Sequence, residues 1–384
     1  MSFSGENMSI TTSGGVRPKA DAPPAVAEPP TTVVVALIPA HDEAAVINAA
    51  ISSLGRQHRR PDRIVVVADN CTDNTPALAS AAGAEVIVTV DNKYKKAGAL
   101  NQALEALMPG LTDADSVLIM DADTTIAAEF VDTALLTLAA DDRAGGVSSV
   151  FIGRNSDTMI GQLQRMEYHR YQREIRRRNN QAFVISGTAS LFRVGALREV
   201  RSARDGKRLP IGDGYYDVYS LTEDNELTFA LRTLDHSCPA PGVTSVTDVM
   251  ERPLDLYRQR HRWFLGALRN LRHYGLRLPL HLRWVYWAQQ IGLVLSVLSA
   301  ALMITMLTLT LVLQLGWSLT PIWLVPTAIL LIERVVTVWT MGWRQRLIAA
   351  SLLPEMAYSI FLIVTFSVAC KDFLLGRRGS WYAT

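Results

Sequence analysis

The sequence predicts a doubly wound α/β domain followed by α-helical transmembrane segments. Two observations carry that prediction. From Val33 to Met120, short apolar runs alternate with helix-period patterns, as strands and their covering helices do. From Trp284 to Ile332, 49 residues pass without one Asp, Glu, Lys, Arg or His, where a single spanning helix needs about 20. Composition agrees with both. Of 384 residues, 49% are hydrophobic and 19% charged, against about 25% charged in an ordinary soluble domain. Only nine of the 74 charges lie in the last 101 residues. A purely soluble enzyme is excluded, and so is a polytopic transporter, because the charged part is too long to be loops.

Residues 1–32 are rich in Ser, Thr, Gly, Ala and Pro and read as a disordered tail without a signal-peptide core. Val33 to Ile38 reads as a buried strand stopped by Pro39, followed by a helix with Val46, Ala49, Ala50 and Leu54 on one face. Strands over 64–68, 86–90 and 117–120 and helices over 72–82 and 97–107 continue the alternation, implying a parallel sheet. Ligands of such sheets bind beyond the carboxyl ends of the strands. The acids there are Asp42 and Glu43, Asp69, and Asp121 with Asp123. Asp73 or Asn74 is better read as a helix cap. Carboxylates two residues apart, as in Asp121-Ala-Asp123, can share a hard divalent cation that bridges phosphates. Neither GxGxxG nor GxxxxGK[ST] follows the first strand, which counts against a dinucleotide dehydrogenase and a P-loop NTPase.

The half from 147 to 250 contains a basic helix over Gln162–Asn180, read equally as a solvated face or a contact for anionic lipid. It also holds Ser186-Gly187-Thr188 and the acidic turn Thr222-Glu223-Asp224-Asn225. Residues 251–283 carry eight arginines against two acids, an amphipathic basic collar suited to the cytoplasmic membrane interface. Residues 284–384 hold two spanning helices, broken near Gln314–Pro321, and a third apolar segment over Leu347–Cys370. Arginines at 344–346 and 377–378 all prefer the cytoplasm, which favours a re-entrant or interfacial third segment, with a third spanning helix as the alternative. Cys71, Cys238 and Cys370 show neither zinc spacing nor a disulfide framework, and a reducing compartment suits them. The net charge of +2 makes no case for nucleic acid. It conceals −7 over 1–250, +6 over the collar and +3 beyond.

Six segments in order resemble the membrane-bound, processive family 2 glycosyltransferases, such as cellulose, chitin, hyaluronan and poly-N-acetylglucosamine synthases. They are Ile38-Pro-Ala-His-Asp-Glu43, Val67-Ala-Asp-Asn-Cys-Thr-Asp73, Lys96-Ala-Gly-Ala-Leu-Asn101, Asp121-Ala-Asp123, Thr222-Glu-Asp224 and Gln259-Arg-His-Arg-Trp263. The 35 residues from Asp224 to Gln259 match the family's spacing. The resemblance implies a GT-A-like nucleotide-binding half (33–146), an acceptor half (147–250) and an inverting, metal-dependent transfer of a hexose-type sugar from a UDP-sugar. By the same resemblance Asp42, Glu43, Asp69 and Lys96 would hold the nucleotide, and Asp121 and Asp123 the donor with Mg²⁺ or Mn²⁺. Asp224 would be the general base. Gln259, Arg260 and Arg262 would assist the diphosphate, while Ser186, Gly187, Thr188, Glu223 and Trp263 would face the acceptor.

The implied product is a β-linked polysaccharide made at the cytoplasmic face of a plasma membrane by a multi-pass protein, with membrane lipid as a further partner. The family's larger members have more membrane helices, so self-association would have to complete a channel. Otherwise the enzyme adds one or a few sugars to a lipid or protein acceptor. An idle nucleotide-binding scaffold is the alternative of another class.

Overall fold

The computed structural model describes residues 32–314 and 324–377. The tail predicted over 1–32, the centre of the break after Gln314, and Arg378 therefore fall outside the described residues, apart from Thr32. The chain opens with β1 (Val34–Ala40), α1 (Ile47–Gly55), β2 (Arg63–Ala68), α2 (Thr75–Ala81), β3 (Glu85–Val88), α3 (Lys95–Leu107) and β4 (Ser116–Met120). Every residue of β1 is buried, because helices cover both faces of the sheet. Its period-2 alternation sends Val35 and Leu37 to one core and Val34, Ala36 and Ile38 to the other. The α1 helix forms as expected but buries Ile47, Ala50, Ile51 and Leu54, leaving Ala49 exposed.

Pro39 does not end β1. The Ala40 carbonyl accepts the Asp69 amide on the β2 side, so by alternation the missing Pro39 N–H faces β4. Pairing of β1 with β4 has already stopped at Leu37–Ile119, and no ladder bond is lost there.

Next come β5 (Thr125–Ile126), α4 (Phe130–Ala140), β6 (Gly146–Ser148), β7 (Val150–Gly153), α5 (Met159–Arg177), β8 (Ala189–Arg193), α6 (Val194–Asp205), α7 (Glu223–Thr233) and β9 (Thr244–Thr247). The main sheet has the order β3-β2-β1-β4-β8-β6, and a small sheet has the order β5-β9-β7. The first four strands are parallel, as read. The sheet is nevertheless mixed, because β8 runs antiparallel between β4 and β6. That reversal matters for the site. Parallel strands bring their carboxyl ends to the binding rim, and an antiparallel strand brings its amino end there. Ala189 pairs with Met120, so Ser186-Gly187-Thr188 lies beside Asp121, whose amide donates to the Thr188 carbonyl at 3.0 Å.

The remainder is helical: α8 (Pro253–Tyr274), α9 (Leu280–Val312), α10 (Leu324–Thr337), α11 (Trp343–Ser351) and α12 (Leu353–Leu374). Among the described residues three stretches, Leu280–Val312, Leu324–Met341 and Leu353–Leu374, are long and apolar enough to span a membrane. The basic collar is not a free amphipathic helix. Its helix α8 is wedged between α7 and α12, with Leu265 and Leu271 fully buried. Nor is α5 simply solvated. Arg170 bonds Glu355 at 2.7 Å and Thr337 at 3.0 Å, while Arg178 pairs with Glu174 at 2.9 Å on the helix surface.

Candidate active site

The rim begins where β1 and β2 end. Asp42 (φ +56°) and Asn70 (φ +50°) adopt the left-handed region, which lets both chains turn sharply off the sheet. Asp42 closes the adjoining turn: its carboxylate accepts the Thr72 amide at 2.6 Å, the Thr72 hydroxyl at 2.9 Å and the Asp73 amide at 3.2 Å. These donors hold its pKa below the usual carboxylate value. Asp73 is likewise occupied by Thr75 and Ala44. The exposed grouping of Asp42, Cys71 and Asp73 is thus tied up in local turns. Asp69 is buried, and one carboxylate oxygen accepts from Asn92 at 2.7 Å, Thr89 at 2.8 Å and Asn70 at 3.0 Å. Glu43 belongs to a different group from Asp42. Burial, and then the charges of Asp123 and Asp121, push its pKa up.

Asp121 and Asp123 follow β4 on a short turn. Asp123 takes the Thr124 hydroxyl at 3.1 Å and the Thr247 hydroxyl at 3.4 Å. Burial and the neighbouring Asp121 charge push it up to about 6. This donor set fits a hard divalent cation: it is all oxygen, it is carried on one turn, and its repulsion is what bound positive charge would relieve.

Lys96 is the hub of the site. From the first turn of α3, its ammonium lies 2.5 Å from Asp121 and 3.3 Å from Glu223, and 3.4 Å from the Gly187 carbonyl. It therefore joins the strand-end rim to α7. Its pKa is raised: burial opposes the charge, but Asp121, Glu223 and Asp224 outweigh burial. Glu223 is buried, yet Lys96 and Arg262 hold its carboxyl below the ordinary value. Asp224 next to it is pushed up to about 6, by burial and by the charge of Glu223. One of these adjacent acids stays ionised and the other is poised near neutrality, the division acid–base chemistry uses. Asp224 is not the helix cap; Thr222 holds that position. Gly187 lies close against this pair: a Cβ there would stand 3.1 Å from the Asp224 carboxylate and 3.4 Å from the Lys96 ammonium.

The Gln259–Trp263 segment divides by helical face. Arg262 bonds the Leu221 carbonyl at 3.1 Å and its charge acts on Glu223 and Asp224, so it belongs to the site. Arg260 does not. It is 2% exposed, bonds Glu167 of α5 at 2.8 Å, and lies 4.3 Å over the Trp263 ring. A guanidinium buried and paired in this way is committed to joining α8 to α5, which corrects the expectation that it assists a diphosphate. Trp263 is its half-buried platform. Gln259 is buried with its Oε1 unpaired, an acceptor left for a ligand or a water.

Ser186 and Thr188 are knit by hydroxyl contacts of 2.6 Å to each other and 2.9 Å from Thr188 to Ser245, so they shape the Gly187 loop. Sequence reasoning missed several supporting residues. Asn92 braces Asp69. Asn101 clamps the amides of Tyr215 and Tyr216 and the carbonyl of Tyr216 at 2.8–3.0 Å, presenting Tyr216 to the cleft beside Lys96 and Asp224. Arg154 ties the Asp123 carbonyl (2.8 Å) to Asp248. Asn92 stands at a strand end and could have been found by the same rule as Asp69. For Arg154 no sequence signal exists.

Comparison with known proteins agrees with this geometry. The sequence model of Glycosyl transferase family 2 matches residues 35–201. The poly-beta-1,6-N-acetyl-D-glucosamine synthase of Staphylococcus epidermidis is 24% identical over 246 residues, covering 60% of this chain and 53% of the relative. That of Staphylococcus aureus strain COL is 24% identical over 238 residues, with the same shares. The chain thus spans about half the length of the curated relatives it matches. Among solved structures, mannosyltransferase PcManGT from Pyrobaculum calidifontis, in complex with GDP-Man and Mn²⁺, shares the fold. Its TM-score is 0.60 at 18% identity, covering 93% of this chain and 92% of that one. The GT-A-like architecture that the resemblance implied is the observed one. The part of the chain that matches glycosyl transferase family 2, residues 35–201, carries the parallel strands, Lys96 and the Asp121–Asp123 pair.

Proposed function

We propose that this protein is an inverting, divalent-cation-dependent transferase that moves a hexose-type sugar from a UDP-sugar to a growing β-linked polysaccharide. Its catalytic domain works at the cytoplasmic face of the plasma membrane, and α9 and α10 anchor it there. The observation that carries this reading is the Lys96 bridge, which joins Asp121 at the end of β4 to Glu223 of α7, next to Asp224 with its pKa pushed up to about 6. Asp69, with its Asn92 and Thr89 brace, takes the base. Asp42 orders the turn beneath it. Asp121 and Asp123 would hold Mg²⁺ or Mn²⁺, which when bound would supply Lewis-acid stabilisation to the leaving diphosphate. Lys96 and Arg262 add fixed positive charge next to it.

Asp224 accepts the proton of the acceptor hydroxyl as that oxygen bonds the anomeric carbon and the bond to the diphosphate breaks. One displacement inverts the centre, turning an α-linked donor into a β-linked product. The relatives named for poly-beta-1,6-N-acetyl-D-glucosamine synthesis support a polysaccharide product. Addition of one or a few sugars to a lipid acceptor is the second reading, because the three apolar helices among the described residues do not by themselves enclose a passage for a polymer.

The test is UDP release by the detergent-purified full chain, across a panel of UDP-sugars with Mn²⁺ and with chelator. Release is expected from one donor, abolished by chelation and by Asp121→Asn. No release from any donor would overturn the reading. Chromatography of the product separates polymer from single addition.

A further inference from the structure

We infer that α12 does not cross the bilayer but lies in its plane, held between the catalytic domain and the acyl chains. Of the three apolar helices, only α9 and α10 would then span.

Both ends of α12 are fastened to the same body. Near its start, Glu355 bonds Arg170 of α5 at 2.7 Å and Tyr358 donates to Glu167 of α5 at 2.6 Å. Near its end, Asp372 pairs with His261 of α8 at 2.9 Å, and the Arg377 carbonyl just beyond accepts from Arg269. Between these points Phe366 meets Phe264 edge to face at 5.3 Å, and Ala369 packs with Leu221 and Leu265. A helix of 22 residues is about 33 Å long, close to the thickness of the hydrocarbon layer. If α12 crossed, its partner α8 would be drawn in beside it. That helix carries Asp255, Arg258, Arg260, Arg262, Arg269 and Arg272, all expensive guests in hydrocarbon. It also carries the active-site residue Arg262, which must stay with Glu223 and Asp224.

The opposite face of α12 is bare. Leu353, Met356, Ile360 and Val364 recur at spacings of three and four and are each at least half exposed, so they form one stripe. The bilayer is the occupant that fits, because α9 and α10 root in the same surface. The Tyr286 hydroxyl of α9 bonds the Phe183 carbonyl, and at the end of α10 Arg334 lies 3.3 Å from Glu355. A helix with protein on one side and acyl chains on the other is apolar all round, and so resembles a spanning helix in composition.

The inference rests on the membrane reading of α9 and α10, and its test separates the two. The full chain, with different epitope tags before Met1 and after Thr384, is sealed into liposomes and treated with protease from outside. With α12 in plane, each molecule keeps both tags or loses both, whichever way it inserted. With α12 spanning, every molecule loses one tag, which overturns the inference. Loss of both tags from all molecules, with no lipid quenching, overturns the membrane reading instead. Fluorophores on cysteines placed at Met356, Ile360 and Val364, quenched by lipids labelled at graded depths, supply the second readout. Equal shallow depths are expected. Depth increasing along the three positions shows a spanning or re-entrant helix and overturns the inference.

Discussion

Two predictions belong to the residue scale, beginning with Asp224. Its pKa is raised to about 6, so it is protonated below that pH, and only the ionised form can accept a proton. The dependence of kcat/KM on pH is therefore expected to rise through about pH 6 and level off above it. Asp224→Asn should lower kcat by about 10²- to 10⁴-fold, leave donor binding near normal, and erase the acid limb that Asp224 contributes. An unchanged limb in a residual-activity profile would assign that pKa to another group. Gly98 makes a complementary case on the binding side. A Cβ there would lie 2.1 Å from the Asn92 Oδ1, so Gly98→Ala must displace Asn92 and loosen Asp69. UDP affinity measured by calorimetry should fall roughly tenfold, about 1.4 kcal/mol. Asn92→Ala should fall by a similar amount, and the double variant by little more, because both act through one contact.

At the scale of elements, the close crossing of α7 and α8 controls the site. Gly266 of α8 touches Thr222, the residue capping α7, and a Cβ at Gly266 would stand 2.5 Å from the Thr222 hydroxyl. Gly266→Ala should push α8 away from Glu223 and Asp224 and take Arg262 with it. Misplacement of about 1 Å can cost 10²-fold in turnover. Pairing it with Thr222→Ala vacates the space and should restore most of the lost kcat in the UDP-release assay. Failure of that rescue would mean that the contact does not set the position of α8. The elements also show what the sequence can and cannot convey. Apolar runs such as Val34–Ile38 and Val117–Met120 reveal strands because burial on both faces demands them. Direction leaves no such trace: Ala189–Arg193 is equally apolar either way round, and the antiparallel insertion of β8 was not legible. The carboxylates at the strand ends were legible from the rim rule. Their partners were not, because Lys96 meets Asp121 and Glu223 across 25 and 127 residues of chain. The two arginines of Gln259–Trp263 look alike in sequence, and only the helical face separates Arg262 in the site from Arg260 in the core.

At the scale of the whole molecule, the division into a soluble half and a membrane half, plain in the composition, does not mark a separable domain. The catalytic domain's lower surface is built from α5 and α8, and α11 and α12 complete it. Leu163 and Met166 of α5 are buried only together with Val338, Ala349 and the residues packed around them. Leu221 and Leu265 close against Ala369, and Phe264 against Phe366. Removing the chain after Pro279 would expose these side chains, each contributing about 1.5–3 kcal/mol when fully buried. It would also strand Arg170 and Glu167 without Glu355 and Tyr358. Such a loss rivals the whole stability of an ordinary domain, about 5–15 kcal/mol. The truncated protein 32–279 is therefore expected to aggregate or bind detergent, and to release no UDP, while the full chain in detergent is monodisperse and active. Size-exclusion chromatography with light scattering, followed by the UDP-release assay on each fraction, checks this. A soluble, monomeric and active 32–279 would show instead that α11 and α12 only lie against a finished domain.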